Sequence, residues 1–289
     1  MKNKTILVTG GAGFIGSNLC ERLVKDNTVL SLDNYTTGRR ENHINGVRYY
    51  YGSTATEISE NIERQDIDIV FHFGEYSRVE QSFEDYNTVF YSNIIGTRNI
   101  LEFVKRTGAK LIYAGSSTKF THAHDGYVQS PYAWSKKVNT DLVMRYGEWF
   151  NIDYAITYFY NVYGNREIED GRYATLIAKY KKLALEGKPL PVVMPGHQKR
   201  NFTHIDDTID ALLLIAESAR GDEYGIGNLT SHSILEVARM FNTQIEYLPE
   251  RKGNRMSGGI VTDKTRDLGW HPKRSLEQHI EEFRSLHNI

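Results

Sequence analysis

The 289-residue chain holds a single cysteine, Cys20, so it can close no disulfide of its own and needs no oxidising compartment. Cys20 falls among apolar residues in "SNLCERLV", the setting of a buried structural thiol rather than a reactive one. Net charge is equally scarce: 35 basic against 36 acidic residues leave a formal −1. So even a balance carries no electrostatic footprint for nucleic acid or an anionic membrane, and neither is expected as a partner. Long hydrophobic runs are missing too. No segment approaches the ~20 residues of a membrane span, and "MKNKTILVTGG" lacks the apolar stretch of a signal peptide. The chain therefore reads as cytoplasmic, and the sequons at Asn3, Asn201 and Asn228 read as chance matches. With six prolines and no repeat, low-complexity tract or linker, loosely strung domains are not expected.

What is present is an ordinary globular composition, long enough for one large α/β unit with a smaller appendage. "KTILVTGG", "TVLSLD", "VRYYYG", "IDIVFHF", "AKLIYAG" and "DYAITYFY" are short apolar, β-rich runs. Between them "FIGSNLCERLVKD", "STATEISENIERQ", residues 85–107 and "PYAWSKKVNTDLVMRYGEWF" have helical spacing. The alternation predicts a Rossmann-type, doubly wound parallel sheet covered on both faces. After "YFYNVYG" the rhythm breaks. "RYATLIAKYKKLALEG" and "HIDDTIDALLLIAES" read as helices, "KPLPVVMPGHQKR" as extended, and "EYGIGN" as a strand returning to the first sheet. The tail from Ser233 reads as two short helices around a Gly-rich loop. The expected division is a dinucleotide-binding domain over 1–160, rejoined near 203–230, and a C-terminal substrate lobe within 161–289, mainly 161–202 and 231–289.

"TGGAGFIGS" places Gly10, Gly13 and Gly16 at the first strand–turn–helix, with Phe14 and Ile15 opening the helix. Glycines suit a sharp turn, a pyrophosphate against bare backbone, and a helix packed closely on its strand. The helix N-terminus offers its free N–H groups to the phosphates. Asp33, followed by Asn34, ends the second strand, where a carboxylate accepts from ribose hydroxyls and repels a 2′-phosphate. Arg39 and Arg40 in "TTGRRE" are the countersignal, but the pattern favours NAD over NADP. Further on, Tyr132 and Lys136 stand at i, i+4 on a helix opened by Pro131, with the hydroxyl-rich "AGSST" upstream. A free phenol, with a pKa of ~10, is a poor base. A neighbouring ammonium and an oxidised nicotinamide ring favour the phenolate.

With these motifs in place the chain resembles the extended short-chain dehydrogenases, and among them the nucleotide-sugar epimerases and dehydratases. The likeness runs through "TGGAGFIGS", "DNYTTGRREN", "VFHFGEYSRVEQS", "SNIIGTRNILEF", "YAGSSTKF", "SPYAWSK", "YFYNVYG", "RNFTHIDD" and "TDKTRDLGWHP". It implies a tightly held NAD, Tyr132 as base, Lys136 as its lysine and Ser116 as the hydroxyl partner. Phe73, Gly74 and Tyr160 are implied along the cofactor. Ser117 and Thr118 are implied beside the sugar, and Asn161, Arg200 and Arg251 at the diphosphate, with "PLPVV" bracketing the base, commonly uracil. The family's dehydratases follow their Ser/Thr with an acidic pair that protonates the departing hydroxyl; here Ser117 and Thr118 stand instead, which points to a 4-epimerase. The alternative within the family is a 4-ketosugar reductase or sugar-nucleotide dehydrogenase.

Some positions depart from the family pattern. Ser53 replaces an acid near the adenine. Glu75 and Tyr76 stand where small residues are usual, and are expected to face the nicotinamide or the sugar. His122 and His124 precede Tyr132 without a third ligand, so no metal is expected. Gly258–Ile260 leave room at the sugar's C2 substituent, enough for an acetamido group. The resemblance also implies a homodimer formed by helices 85–107 and 131–150; Phe90, Tyr91, Ile94, Val143 and Tyr146 suit either that interface or the core.

Overall fold

The computed structural model describes residues 1–56, 58–120, 130–250 and 259–289, apart from the Thr118 side chain. Arg251, His122, His124 and Gly258 lie outside the described residues. The first half runs β1 (Thr5–Thr9), α1 (Phe14–Leu23), β2 (Thr28–Asp33), β3 (Arg48–Tyr51), α2 (Glu60–Glu63), β4 (Ile69–His72), α3 (Tyr86–Val89), α4 (Gly96–Thr107), β5 (Lys110–Ser116), α5 (Pro131–Phe150) and β6 (Tyr154–Phe159). The second continues with β7 (Val162–Tyr163), α6 (Leu176–Leu185), β8 (Leu190–Val193), β9 (Lys199–Asn201), β10 (Thr203–His204), α7 (Ile205–Ser218) and β11 (Gly221–Ile226). It ends with β12 (Ser231–Ser233), α8 (Ile234–Met240), β13 (Ile245–Leu248), α9 (Asp263–Asp267) and α10 (Leu276–His287). No described helix is long and apolar enough to cross a membrane.

Seven strands form the main sheet in the order β11-β6-β5-β4-β1-β2-β3, and each neighbouring pair is parallel. Parallel pairing requires crossovers, and these put helices on both faces, so the strands are apolar on both sides. One face buries Ile6, Val8 and Phe71 against Leu19 of α1 and Ile209, Leu212 and Ile215 of α7. The other buries Leu7, Val70, Leu111 and Ile156 against Ile100 and Val104 of α4 and Val143 of α5. A third core, with Tyr180, Leu190, Val192, Phe241 and Ile280, lies among α6, β8, α8 and α10. The tail is tied to α7 by Asp207, whose side chain accepts from Lys273 N (3.1 Å) and Arg274 N (3.0 Å). Trp270 Nε1 donates to the Asp207 carbonyl at 2.9 Å.

Three elements differ from the sequence pattern. The helix expected over "STATEISENIERQ" contracts to the four residues of α2. Upstream, Ser53–Thr56 closes a local turn, with Thr56 N and Oγ1 both donating to Ser53 O, and Asn99 of α4 donates to the carbonyls of Thr54 and Thr56, so no helix starts there. The helix expected at 85–107 is continuous, but a π turn over Phe90–Ile95 separates α3 from α4. The tail has a third helix and the strand β13, which pairs with β8. Val143 and Tyr146, open between interface and core from sequence, are core: Val143 is fully buried, and Tyr146 is buried with its hydroxyl on Glu102 at 2.6 Å.

The order of the strands reverses between β1 and β4, and there the sheet opens a crevice. Gly10 has φ +74°, and a Cβ on it would meet Gly74 N at 3.0 Å. Gly16 is tighter: its Cβ would lie 2.1 Å from the Gly10 carbonyl oxygen. Gly16→Ala should force α1 off β1 and cost about 1–3 kcal/mol. Urea unfolding should show a lower midpoint, and NAD affinity should fall at least ~10-fold as the turn opens.

Candidate active site

Thr9, the last residue of β1, organises the crevice. Its Oγ1 accepts from Phe73 N (3.1 Å) and Gly74 N (2.9 Å), clamping the chain beyond β4 to the end of β1. Its own proton goes to His72 Nδ1 at 2.8 Å. That leaves the ring proton on Nε2, which donates to Thr97 Oγ1 at 3.1 Å. Thr97 in turn donates to Glu75 Oε1 at 2.9 Å. A buried hydroxyl–imidazole–hydroxyl–carboxylate chain thus runs from the glycine turn to the foot of α5. Burial pushes the His72 pKa down to about 4.

Glu75 is the centre of this nest. Oε1 also accepts from Asn139 Nδ2 (2.9 Å) and Tyr113 OH (3.2 Å), and Oε2 accepts from Lys136 Nζ. The Lys136 and Glu75 side chains are 5% and 2% exposed. Lys136 Nζ donates as well to the Ala114 carbonyl (2.6 Å) and lies 5.0 Å from the Tyr113 ring centroid. Burial first, and then Glu75, raise the Tyr113 phenol well above its ordinary pKa, so it stays a protonated donor. Asn93 closes the nest: its Oδ1 accepts from Tyr76 N (2.7 Å) and its Nδ2 donates to Ser135 Oγ (2.9 Å).

This arrangement corrects two expectations. Glu75 does not face a nicotinamide or a sugar; it turns inward beneath α5, where four donors and the lysine charge offset its desolvation. Tyr76 is buried too. Its hydroxyl donates to Asp85 at 2.7 Å and its ring stands edge-on to Tyr173, so it braces the start of α3. His72, Thr97, Asn93 and Asn139 were missed. Their signal was slight: Asn93 and Thr97 at i, i+4, and Lys136 and Asn139 at i, i+3.

Tyr132 is half-buried in the first turn of α5, after Pro131, with Ser130 capping that turn by accepting from Ala133 N at 3.1 Å. Ser116 ends β5 in register with Phe159 and is buried, and Ser117 opens the 3₁₀ turn Ser117–Phe120. Because Lys136 bonds to Ala114 O, the end of β5 and the start of α5 are held together. The half-buried Arg78 guanidinium donates to Tyr173 O and Ser77 O and feels the Tyr132 phenol electrostatically.

The residues at the crevice fit NAD. The N-terminus of α1 has no acidic residue in its first turn and no capping side chain at Gly13, so its N–H groups suit an anion. A Cβ on Gly13 would meet only the Gly10 carbonyl, at 3.2 Å. Asp33 accepts from Ala12 N (2.9 Å) and Tyr35 N (2.8 Å), and burial raises its pKa. Gly38 passes so close that its Cβ would lie 2.7 Å from Asp33 Oδ1. Asn34 is exposed and accepts from Thr36 N at 3.1 Å. Phe14 is half-buried and its carbonyl accepts from Asn18 Nδ2, Ile15 packs on the main core, and Phe73 stands edge-on to Phe159. Beside Phe14 a cleft of about 190 Å³ is lined by Arg39, Asn42 and Arg166. Tyr160 is buried, and its hydroxyl accepts from Val261 N at 3.0 Å. Past β6, Asn161 has φ +37° and donates to Asn201 O at 2.8 Å. Arg200 lies on β9 and donates to Lys199 O at 2.8 Å.

A seven-stranded parallel sheet opened beside a glycine turn defines a dinucleotide-binding, Rossmann-type fold. The chain belongs to the NAD dependent epimerase/dehydratase family, whose model matches residues 6–229. It is 29% identical to UDP-glucuronic acid decarboxylase 2 of Arabidopsis thaliana, over 96% of this chain and 67% of that protein. Among solved structures it resembles UDP-N-acetylglucosamine 4-epimerase from Methanobrevibacter ruminantium, with a TM-score of 0.90 and 25% identity over 100% of this chain and 98% of the other. It also resembles UDP-glucose 4-epimerase from Thermotoga maritima, with a TM-score of 0.89 and 26% identity over 98% and 99%.

The depressed His72 pKa has a stability consequence with a definite sign. The unfolded imidazole, near 6.5, takes its proton before the folded one, near 4, so the stabilisation is complete above pH ~6.5 and is lost as pH falls towards 4. From pH 7 to 5 this one residue should account for ~2 kcal/mol of lost stability. Denaturant unfolding at both pH values should show that loss, and His72→Gln should remove that share of the difference.

Proposed function

We propose that the protein is a C4 epimerase of a nucleotide-diphosphate sugar, a UDP-hexose or its N-acetylated form. The observation that carries this reading is the sequence of groups after β5. Ser116 ends the strand, Tyr132 and Lys136 lie on the helix that strand is bonded to, and Ser117 and Thr118 stand where elimination needs an acid. Two structural neighbours are 4-epimerases of UDP-sugars, which favours the same chemistry here. The plant relative is a decarboxylase, so UDP-sugar chemistry is common ground while its outcome differs.

When bound, NAD supplies the oxidant that removes and restores the hydrogen on C4. The chain does the rest. Tyr132, as phenolate, accepts the C4 hydroxyl proton and later returns it; Ser116 orients that hydroxyl. Asn161, Arg200 and Arg251 hold the diphosphate, so that the sugar alone turns over between the two half-reactions. The second reading, a 4-ketosugar reductase or sugar-nucleotide dehydrogenase, uses the same groups with a cofactor that exchanges.

A panel of UDP-, GDP- and dTDP-sugars followed by NMR in heavy water separates these readings. A 4-epimerase puts no solvent deuterium on carbon; a carbon-bound deuteron or net NADH release would count against it. Tyr132→Phe should lower kcat ~10²–10⁴-fold with the fold intact.

The protein is also proposed to pair as a homodimer. Phe83, Tyr86, Tyr91 and Trp149, on and beside the helices expected to pair, are 62%, 52%, 60% and 62% exposed. An apolar surface so placed calls for a cover. Light scattering should give twice the chain mass, and Tyr91→Glu should shift it towards one.

A further inference from the structure

We propose that Glu75 is a positioning residue that sets, through Lys136, how strongly the site favours the Tyr132 phenolate. This rests on the reading of Tyr132 as the proton acceptor. A lysine ammonium has three protons. In Lys136 one goes to Glu75 and one to Ala114 O, which holds the head group beneath α5 and, among the described residues, leaves one over.

Lys136 and Glu75 cancel as a buried pair. His72, from β4, is neutral, and Tyr113, from β5, is kept protonated. Arg78, on the loop after β4, is a further cation that interacts with the phenol. A small residue at position 75 would leave the Lys136 charge undiluted. Glu75 dilutes it, and it does so without entering the site, since its side chain is 2% exposed. A purely structural ion pair would also stabilise the core. The proposal adds that removing the carboxylate alone leaves a net positive charge one helical turn from the phenol.

The test is NMR of protein carrying ¹³Cζ-labelled tyrosine, with NAD added, titrated with pH; the Tyr132 signal is assigned by its loss in Tyr132→Phe. Glu75→Gln keeps an acceptor for Thr97, Tyr113 and Asn139 but removes the charge. It should move the Tyr132 titration to lower pH by at least about half a unit, a ~3-fold gain in phenolate on the acid side. The acid limb of the kcat profile should move with it. Glu75→Asp keeps the charge and should leave the titration in place. Should the Gln variant not fold, Glu75→Ala, which admits water around the ammonium, carries the same expectation. An unmoved or alkaline-shifted titration, or an equal shift in the Asp variant, overturns the proposal. Turnover without the titration shift keeps the epimerase reading and rejects Glu75; a shift in a protein that converts no nucleotide sugar does the reverse.

Discussion

The hydroxyl of Thr9 is the constraint on which the site depends. By accepting from Phe73 N and Gly74 N it pins the ends of β1 and β4 at the point where the strand order reverses. Gly10 and Gly74 can then approach closely, and the crevice between them keeps its shape. The same hydroxyl, through His72 and Thr97, orients the Glu75 carboxylate. Dinucleotide crevice and lysine nest are therefore one hydrogen-bonded unit. A buried network in which Thr9, His72, Thr97 and Glu75 are all partnered favours one arrangement, because alternatives leave more buried polar groups unpaired.

Much of the fold was legible because its signals are local. The glycine turn, Asp33 at the end of β2 and the Tyr132–Lys136 spacing each need only a few consecutive residues to be read. The strands that turned out parallel were also plain, since burial on both faces makes them continuous apolar runs. The shortening of the second helix was harder to read: a local Ser53–Thr56 turn stands where the helix was expected to begin, and Asn99, 45 and 43 residues further on, bonds to the Thr54 and Thr56 carbonyls.

The inward turn of Glu75 was hidden. Its partners Thr97, Tyr113, Lys136 and Asn139 are 22 to 64 residues away, and only the assembled sheet brings them together. From sequence, a bulky carboxylate beside a crevice reads as facing the ligand. Burial makes the opposite arrangement favourable once a cation and several donors converge. Tyr76 follows suit, since Asp85 and Tyr173 give its hydroxyl and ring a place away from the crevice. Val143 and Tyr146 show the same limit, because an apolar helix face looks alike whether it meets a sheet or a second subunit.

The π turn at Phe90–Ile95 admits one more residue than a regular helix would. Because each α-helical residue advances by ~100°, that extra member decides which side chains of the following helix look inward. Asn93 lies within it and Thr97 just beyond it, and both bond into the nest. Losing or gaining a single position there would rotate a different set of side chains under α5 while every strand stayed where it is. The wide turn is thus a phase control on which side chains of the following helix face α5.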